Sequence, residues 1–443
     1  MPQNHRHRRD HVLLVDGGRQ LNGRVCISGS KNAALPLMAA SLLTKDRVTL
    51  HNVPRVADTQ LMAEILQDLG ARVRDTGPSS TSITAGEPVK HEVDDALGRR
   101  MRASIVLLGA LVGRGGKAVL PRPGGDAIGV RRVEQHIRGL VQMGAEVRET
   151  DTQFIARARR RLRGARVVFD LPTVTGTENI MLAAVLAQGR TEILQAAREP
   201  HVQDLAKLLQ EMGAQIYGAG TDEIMIEGVE RLHGAEHQVI PDYLEAGTYA
   251  IAVAAAGGDV HIECSPPDDL VVPLIKLEMA GVHVDTGEGT IHVVRNPGRP
   301  LKPVDLTTWV HPGFPTDLQA QFLALMTQAT GESVISEFIF ENRYQHVLEL
   351  LRMGARIRID GKMAIVQGPS RLHGTDVVIS DIRSGAALVI AALCASGTSE
   401  LKKAWHVDRG YQDLVGKLGE LGAQIQRVDE SRRTAPSPSG TFE

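Results

Sequence analysis

Apolar residues recur along the chain in two alternating kinds of helical segment. ALPLMAASLL, ASIVLLGALVG, ENIMLAAVLAQG, GTYAIAVAAAGG, QAQFLALMTQATG and SGAALVIAALCASG are apolar nearly all round and rich in alanine. A helix without a polar face belongs inside a core. Amphipathic segments alternate with them. Examples are DTQLMAEILQDLG and HVQDLAKLLQEMG, whose charged face predicts an outer position. Six segments end such a run with glycine next to a small residue and then enter a strand-like stretch: LQDLGARVR, LVQMGAEVR, LLQEMGAQIY, KLEMAGVHV, LLRMGARIR and KLGELGAQI. Their glycines are Gly70, Gly144, Gly213, Gly281, Gly354 and Gly422, spaced by 68 to 74 residues. A period shared by a whole chain means one supersecondary unit, copied. This one exceeds the solenoid range of about 20–50 residues, so each unit is a small αβ subdomain. One buried helix, one exposed helix and several short strands per unit predict an α/β protein with sheets wrapped around helices, the inverse of an ordinary barrel. Six units divide naturally into three plus three, giving two domains.

The totals change this picture little. The chain has 443 residues, 42 % of them hydrophobic, enough for a large core. Aromatics are only 3 %, so Ala, Leu, Val and Gly must do the packing. A net charge of −2 argues against a general nucleic-acid or membrane surface, so any cationic cluster is local and purposeful. No run of about 18 apolar residues exists. Cys26, Cys264 and Cys394 lie far apart and form no CxxC, which reads as free thiols in a reducing, cytoplasmic compartment. Residues 1–11 and 429–443 read as disordered tails, the first basic, the second rich in Ser, Pro and Thr. The sixteen histidines read as ordinary surface groups, and no HExxH or cysteine pair of ligand spacing suggests a metal.

Candidate chemistry gathers at turns beside the apolar helices. Ser28-Gly29-Ser30-Lys31-Asn32 precedes the first; small residues and a lysine at a helix start suit an anion, although a cap with a solvated lysine is the plainer reading. It is not a nucleotide P-loop, since GxxxxGK[ST] is missing. PGGDAIGVR, with Asp126 at its tip and Arg131 five residues on, reads equally as an ordinary surface loop or as one that closes over substrate. Phe314-Pro315-Thr316-Asp317 offers a helix cap or a base. Glu341-Asn342-Arg343-Tyr344, Asp381-Ile382-Arg383-Ser384-Gly385 and Asp408-Arg409-Gly410-Tyr411 each put an arginine at a unit junction. One such arginine is usually a weak surface ion pair. Several at equivalent places in a repeat suggest a shared anion pocket.

Together with RRMRASIVLLGAL, TVTGTENIM, AAREP, PDYLEAGTY, HPGFPTDLQAQF and HVDRGYQDL, these stretches resemble the enolpyruvyl transferase family, in family order from Gly29 to Tyr411. The likeness is greatest to the branch acting on UDP-N-acetylglucosamine. The GNAGT segment of the branch acting on shikimate 3-phosphate does not occur. The resemblance implies a two-domain inside-out barrel of six βαβαββ units. One domain would be 12–30 plus 242–428; the other, 31–241, would carry a mobile loop at 121–131. The chain would cross near Lys31 and near Asp242, its first strand pairing with the C-terminal half.

The implied reaction moves the enolpyruvyl group of phosphoenolpyruvate onto the 3-hydroxyl of UDP-N-acetylglucosamine and releases phosphate, with no cofactor, metal or obligatory protein partner. Lys31, Arg131, Arg343, Arg383 and Arg409 match positions contacting phosphoenolpyruvate, and the arginine fork suits carboxylate and phosphate. Asn32, Arg102, Arg132, Val133, Glu134, Thr173, Val174, Thr175, Thr316 and Ile339 match the sugar-nucleotide side. Asp317 matches the residue that takes the hydroxyl proton; an ordinary aspartate is ionised near neutrality. Lys31, Arg409 and Asp126 complete the catalytic set.

Asp126 departs from the family, where cysteine usually tips the loop and is alkylated by fosfomycin. To act as an acid it must be kept protonated by desolvation on closure, against nearby Arg131. A carboxylate attacks an epoxide less readily than a thiolate, so fosfomycin resistance is expected. Arg132 and Glu134 stand where the family usually has proline and aspartate, Leu171 where a basic residue is common, Tyr243 for arginine, and Val106 for an occasional aromatic. Most of these changes surround the nucleotide and leave open two alternatives: transfer to a simple uridine nucleotide, or a catalytically silent paralogue that binds sugar nucleotides. A cationic pocket under an acidic loop predicts an open form without substrate and a closed one with it.

Overall fold

In a computed structural model of the protein, the described residues are 11–87 and 89–429. Most of both expected tails lies outside that range. His11 and Asp429, placed in the tails by their composition, are instead strand residues paired with each other across one sheet.

The six apolar segments are helices, and each is buried over most of its surface. They are α1 (Lys31–Ala40), α2 (Leu107–Gly115), α3 (Val174–Ala184), α4 (Tyr243–Ala256), α5 (Gln319–Met326) and α6 (Ile382–Cys394). Two separate hydrophobic cores result. One is built from residues 33–239. The other joins residues 13–27 to residues 243–423. In the second core α4, α5 and α6 pack on one another. In the first, α2 packs on α3, while α1 leans chiefly on the helix Pro200–Glu211. The six marking glycines follow the outer helices with φ between +92° and +99°. This left-handed backbone is what a helix stop requires, and glycine adopts it without a Cβ clash.

The described residues form six sheets of one design. A central antiparallel pair carries a further antiparallel strand on one side and a parallel strand on the other. The sheet Lys117–Pro121, Gln153–Arg157 and Glu146–Glu149 has three named strands, but Glu92 bridges Val119 in parallel where the fourth would lie. The first strand, His11–Asp16, runs between Thr398–Lys402 and Gln424–Asp429. The second, Leu21–Cys26, pairs in parallel with Gly258–Glu263. The N-terminus thus belongs to the C-terminal core.

The chain then crosses between cores beside its own return. Ser30 donates its amide to the Ile240 carbonyl at 2.8 Å, and Asp242 donates to Ser28 at 2.9 Å. This double crossing brings α1 and α4 to the boundary with their N-terminal ends together.

The reading of three free thiols is corrected. Cys26 and Cys264 form a disulfide, with Cα atoms 5.5 Å apart across 238 residues of sequence, and Cys394 stays free. The parallel register that aligns Cys26 with Glu263 makes Cys264 its neighbour. No local spacing carries that information. Among the described residues no helix is long and apolar enough to cross a membrane.

Candidate active site

Helix starts supply most of the site. Ser30 caps α1, its hydroxyl accepting from the Ala33 amide at 3.3 Å, which fixes Lys31 in the first turn. Asp381 caps α6, accepting from the Arg383 and Ser384 amides at 3.0 Å each. It is a structural cap that aims Arg383 inward. Asp317 sits in the short turn Thr316–Leu318 ahead of α5, where Pro315 holds the cap position. Its carboxylate is therefore not spent on backbone amides.

Asp317 instead joins two buried arginines. Arg343 Nη2 donates to Oδ1 at 2.6 Å and Arg383 Nη2 to Oδ2 at 3.0 Å. Arg383 also donates to the Tyr411 hydroxyl at 3.0 Å, and Arg343 lies over the Phe340 ring, 5.6 Å from its centroid. Burial alone would raise the Asp317 carboxyl, but Arg383, Arg343 and Lys31 outweigh it and hold the group well below the usual carboxylate range. Arg383 is driven the other way: burial disfavours its charge, and Tyr411, Asp317 and Asp242 more than restore it.

A second chain of charge crosses the boundary between the cores. Lys31 Nζ is 3.6 Å from Asp58 Oδ2, and Arg409 Nε is 3.1 Å from Asp58 Oδ1. Arg409 also pairs closely with Asp126 at the loop tip. Burial lowers the Lys31 ammonium; Asp58 opposes this, while Arg383 and Arg409 add to it. The loop is seated against the C-terminal half. Ala127 accepts from Asn342 Nδ2 at 2.9 Å and from Gln345 Nε2 at 2.7 Å, and the Asn342 amide donates to Ile128 at 3.0 Å. Asp126 has 14 % of its side chain exposed and pairs directly with Arg409, while Arg131 is near enough for their charges to interact. Arg131 closes the loop with φ +49° and faces Phe340, its guanidinium 5.7 Å from the ring centroid.

The nucleotide-side candidates cluster next to this pocket. Thr173 caps α3, accepting from the Gly176 amide at 3.3 Å, with Val174 and Thr175 in the first turn. Arg132 and Glu134 are exposed, and Val133 is buried. Gln135 ties the two segments together, donating to Leu171 at 3.1 Å and accepting from the Asp170 amide at 2.6 Å. Leu171 is 71 % exposed beside them. Arg102 is near enough to Arg131 and Glu134 to respond to both. Burial, then Arg131, lowers it to about 10, with Glu134 opposing. Thr316 donates to Glu337 at 2.9 Å, whose other oxygen accepts from the Ile339 and Phe340 amides at 2.7 and 3.0 Å. Asn32 follows Lys31 in α1 and is partly buried. Tyr243 and Val106 are buried, Tyr243 edge-on to His311 at 6.5 Å.

Several site groups escaped the sequence reading. Asp58 lies in an ordinary amphipathic helix, and only the fold shows that its first turn meets Lys31. Glu337 sits in an unremarkable strand exit. Glu178 is buried and Glu199 half-buried, each with a buried, unpaired oxygen; burial raises both carboxyls and Glu199 raises Glu178 further. His136, His201 and His346 are buried, correcting the reading of the histidines as surface groups. Burial lowers His201 to about 4 despite Asp317 nearby. Glu178 is a charged residue inside the apolar helix of TVTGTENIM, which was an available signal, whereas Glu199 sits in the turn ahead of the helix Pro200–Glu211 and carried none.

Comparison with known proteins fits this geometry. The family model of EPSP synthase (3-phosphoshikimate 1-carboxyvinyltransferase) matches residues 15–418. A UDP-N-acetylglucosamine 1-carboxyvinyltransferase of Sorangium cellulosum (strain So ce56) is 49 % identical over 418 residues, covering 94 % of this chain and 98 % of the relative. Another so named, from Solibacter usitatus (strain Ellin6076), is 49 % identical over 417 residues, covering 94 % and 99 %. Among solved structures, the enolpyruvyl transferase NikO from Streptomyces tendae superposes with a TM-score of 0.85 at 28 % identity, covering 94 % of this chain and 98 % of its own. An EPSP synthase from Acinetobacter baumannii gives 0.72 at 17 % identity over 94 % and 99 %, a likeness of fold. The helices buried behind mixed sheets, the arginines at the unit junctions and these matches together make the chain a member of the enolpyruvyl (1-carboxyvinyl) transferase family.

Proposed function

We propose that this enzyme transfers the enolpyruvyl group of phosphoenolpyruvate to the 3-hydroxyl of UDP-N-acetylglucosamine, releasing phosphate, the first committed step of peptidoglycan precursor synthesis, in the cytoplasm. The observation that carries the proposal is the charge pattern around Asp317. Five cations (Lys31, Arg131, Arg343, Arg383, Arg409) face three carboxylates (Asp58, Asp126, Asp317), some in direct ion pairs, others near enough for their charges to interact. The cationic excess suits a substrate carrying both carboxylate and phosphate. Each half reads as an inside-out barrel of three βαβαββ units, 12–30 with 242–428 and 31–241, with the site where they meet.

In the addition step the sugar hydroxyl oxygen bonds to C2 of the enolpyruvyl group. Its proton passes to Asp317, and the C3 methylene gains a proton from Asp126 or from solvent it orients. The product is a tetrahedral ketal. In the elimination step C3 loses a proton, the C2–O bond to phosphate breaks, and the double bond re-forms. Arg409 and Lys31 neutralise the departing phosphate; Arg343 and Arg383 hold the carboxylate. Arg131 completes the phosphoenolpyruvate pocket; Arg102, Arg132, Val133, Glu134 and the turn Thr173–Thr175 bind the nucleotide, while Asn32, Thr316 and Ile339 bind the sugar.

A second reading, transfer to a simple uridine nucleotide, is favoured by Leu171, exposed at the nucleotide turn where a basic residue would otherwise meet the diphosphate. Phosphate release with UDP-N-acetylglucosamine, with UMP and without acceptor separates the readings. Turnover with the amino sugar alone, lost in Asp126→Ala, supports the proposal. Turnover with UMP alone replaces it, and binding without turnover of either indicates a silent paralogue.

A further inference from the structure

We propose that the outer face of the sheet containing Gly258–Glu263 and Thr290–Arg295 binds a divalent transition-metal ion of borderline softness, Zn2+ in kind, through Asp259, His261 and His292. His261 and His292 are directly opposite each other on adjacent antiparallel strands, and Asp259 lies two residues before His261. Strand alternation therefore puts all three on one face. Val260, Ile262, Ile291 and Val293 on the other face are fully buried, so the ligands stand on a rigid, packed base. Their donor atoms all lie within 4.8 Å of one another. Metal bonds of 2.0–2.2 Å put tetrahedral ligands about 3.3–3.5 Å apart. Closing to that spacing is a side-chain adjustment, not a backbone one.

Two features must change on binding, and both can. His292 Nε2 is 2.7 Å from Asp259 Oδ1, so an ion replaces the proton they share and widens that gap. The two imidazoles are stacked, 3.9 Å between centroids and 5° between planes. A metal must lie in the plane of each ring, so one ring turns about its terminal torsion into solvent. Asp285 is the Cα partner of His292 on the next strand and so shares the face, available as a fourth ligand in place of water. Arg24, opposite His261 on the other side, is already paired with Glu263 at 2.5 Å and does not leave an unbalanced cation beside the site. Two imidazoles with a carboxylate suit Zn2+ and its neighbours rather than Mg2+ or Ca2+. The site is separate from the arginine pocket and needs no part in the transfer reaction.

The test titrates Zn2+ into the full chain, first stripped with chelator, against a chromophoric competitor; Co2+ serves as the spectroscopic probe. One equivalent should bind, and His261→Asn and His292→Asn should each weaken it at least tenfold and abolish the visible Co2+ bands. Turnover in both variants should equal wild type, which also reports that they fold. If either histidine variant fails to fold, Asp259→Ala takes its place, since that side chain is 58 % exposed. The sequence holds a rival in His5 and His7. Unchanged Zn2+ stoichiometry and affinity in the sheet variants, or loss only in His5→Asn/His7→Asn, overturns the proposal.

Discussion

Asp58→Asn separates the two duties assigned to the buried charge chain. Asp58 is 4 % exposed and is the anion shared by Lys31 and Arg409, whose side chains are 13 % and 12 % exposed. Breaking a buried pair by removing one partner costs about 3–5 kcal/mol, and the residual exposure of the cations puts this case near ~3 kcal/mol. For a cooperative unit of roughly 150–250 residues, each kcal/mol moves the melting temperature by about 2–4 °C, so a fall of roughly 6–12 °C is expected. The same change removes the anion that Lys31 and Arg409 share, leaving Lys31 unpaired and Arg409 paired with Asp126 alone, so the pocket holds an incoming anion more strongly. Phosphate should then stabilise the variant more than wild type; tenfold tighter binding adds about 1.4 kcal/mol at saturation. The assay is thermal unfolding by calorimetry with and without inorganic phosphate, alongside KM for phosphoenolpyruvate. A purely structural Asp58 would give the melting loss without the enhanced phosphate response. A melting temperature within 1 °C of wild type would refute the buried-pair account altogether.

Two further outcomes follow from the same contacts. Fosfomycin should leave the wild type active after prolonged incubation, because Asp126 is a weak nucleophile paired with Arg409, whereas Asp126→Cys should be inactivated in a time-dependent manner; stoichiometric inactivation of the wild type, followed by loss of activity and mass shift, would sink this reading. His237 bridges Asp204 at 3.0 Å and Glu211 at 2.8 Å, and although burial works against its charge, these carboxylates raise it. A raised folded value means the contribution is complete below the unfolded value near 6.5 and is lost as pH rises through the folded one. The stability of the wild type relative to His237→Gln should therefore shrink above about pH 6.5, checked by urea midpoints across pH; a constant or widening difference contradicts it.

The repeat was legible because helix burial and helix stops are local. All-round apolar segments have no polar face to offer solvent, and glycines such as Gly144 or Gly354 mark a left-handed stop that other residues adopt at a cost. The arginine pocket was legible from the junction motifs and the family likeness. What escaped depended on long-range pairing. Cys26 meets Cys264 only because two strands 238 residues apart run in parallel register. Asp58 reads as helix surface until α1 brings Lys31 against it. The Arg409–Asp126 pair was hidden for the same reason: Arg131 is near Asp126 in sequence and close enough for their charges to interact, but Arg409 reaches the loop across the boundary between the cores.

Asp317 presents a conflict that the substrate itself can resolve. A carboxylate held well below its usual range by Arg383, Arg343 and Lys31 is a poor acceptor for a hydroxyl proton. The two arginines that depress it are also the ones that suit the carboxylate of phosphoenolpyruvate. On the proposed mechanism, that anion shares their charge when it binds, the hydrogen bonds at 2.6 and 3.0 Å weaken, and Asp317 regains basicity beside the incoming hydroxyl. The base would thus be switched on by the co-substrate it serves. In the protein as described, the depressed group contributes stability above the unfolded value near 3.9 and loses it as pH falls through the lower folded value. Asp317→Asn should therefore lower kcat by about 10²–10⁴-fold, the usual range for losing a general base, while phosphoenolpyruvate binding is kept or strengthened. Reversing the depression without removing the base, by Arg343→Gln, should weaken phosphoenolpyruvate binding and move the acid limb of the kcat/KM profile upward. An acid limb that stays in place in Arg343→Gln would show that Asp317 is not the group being tuned.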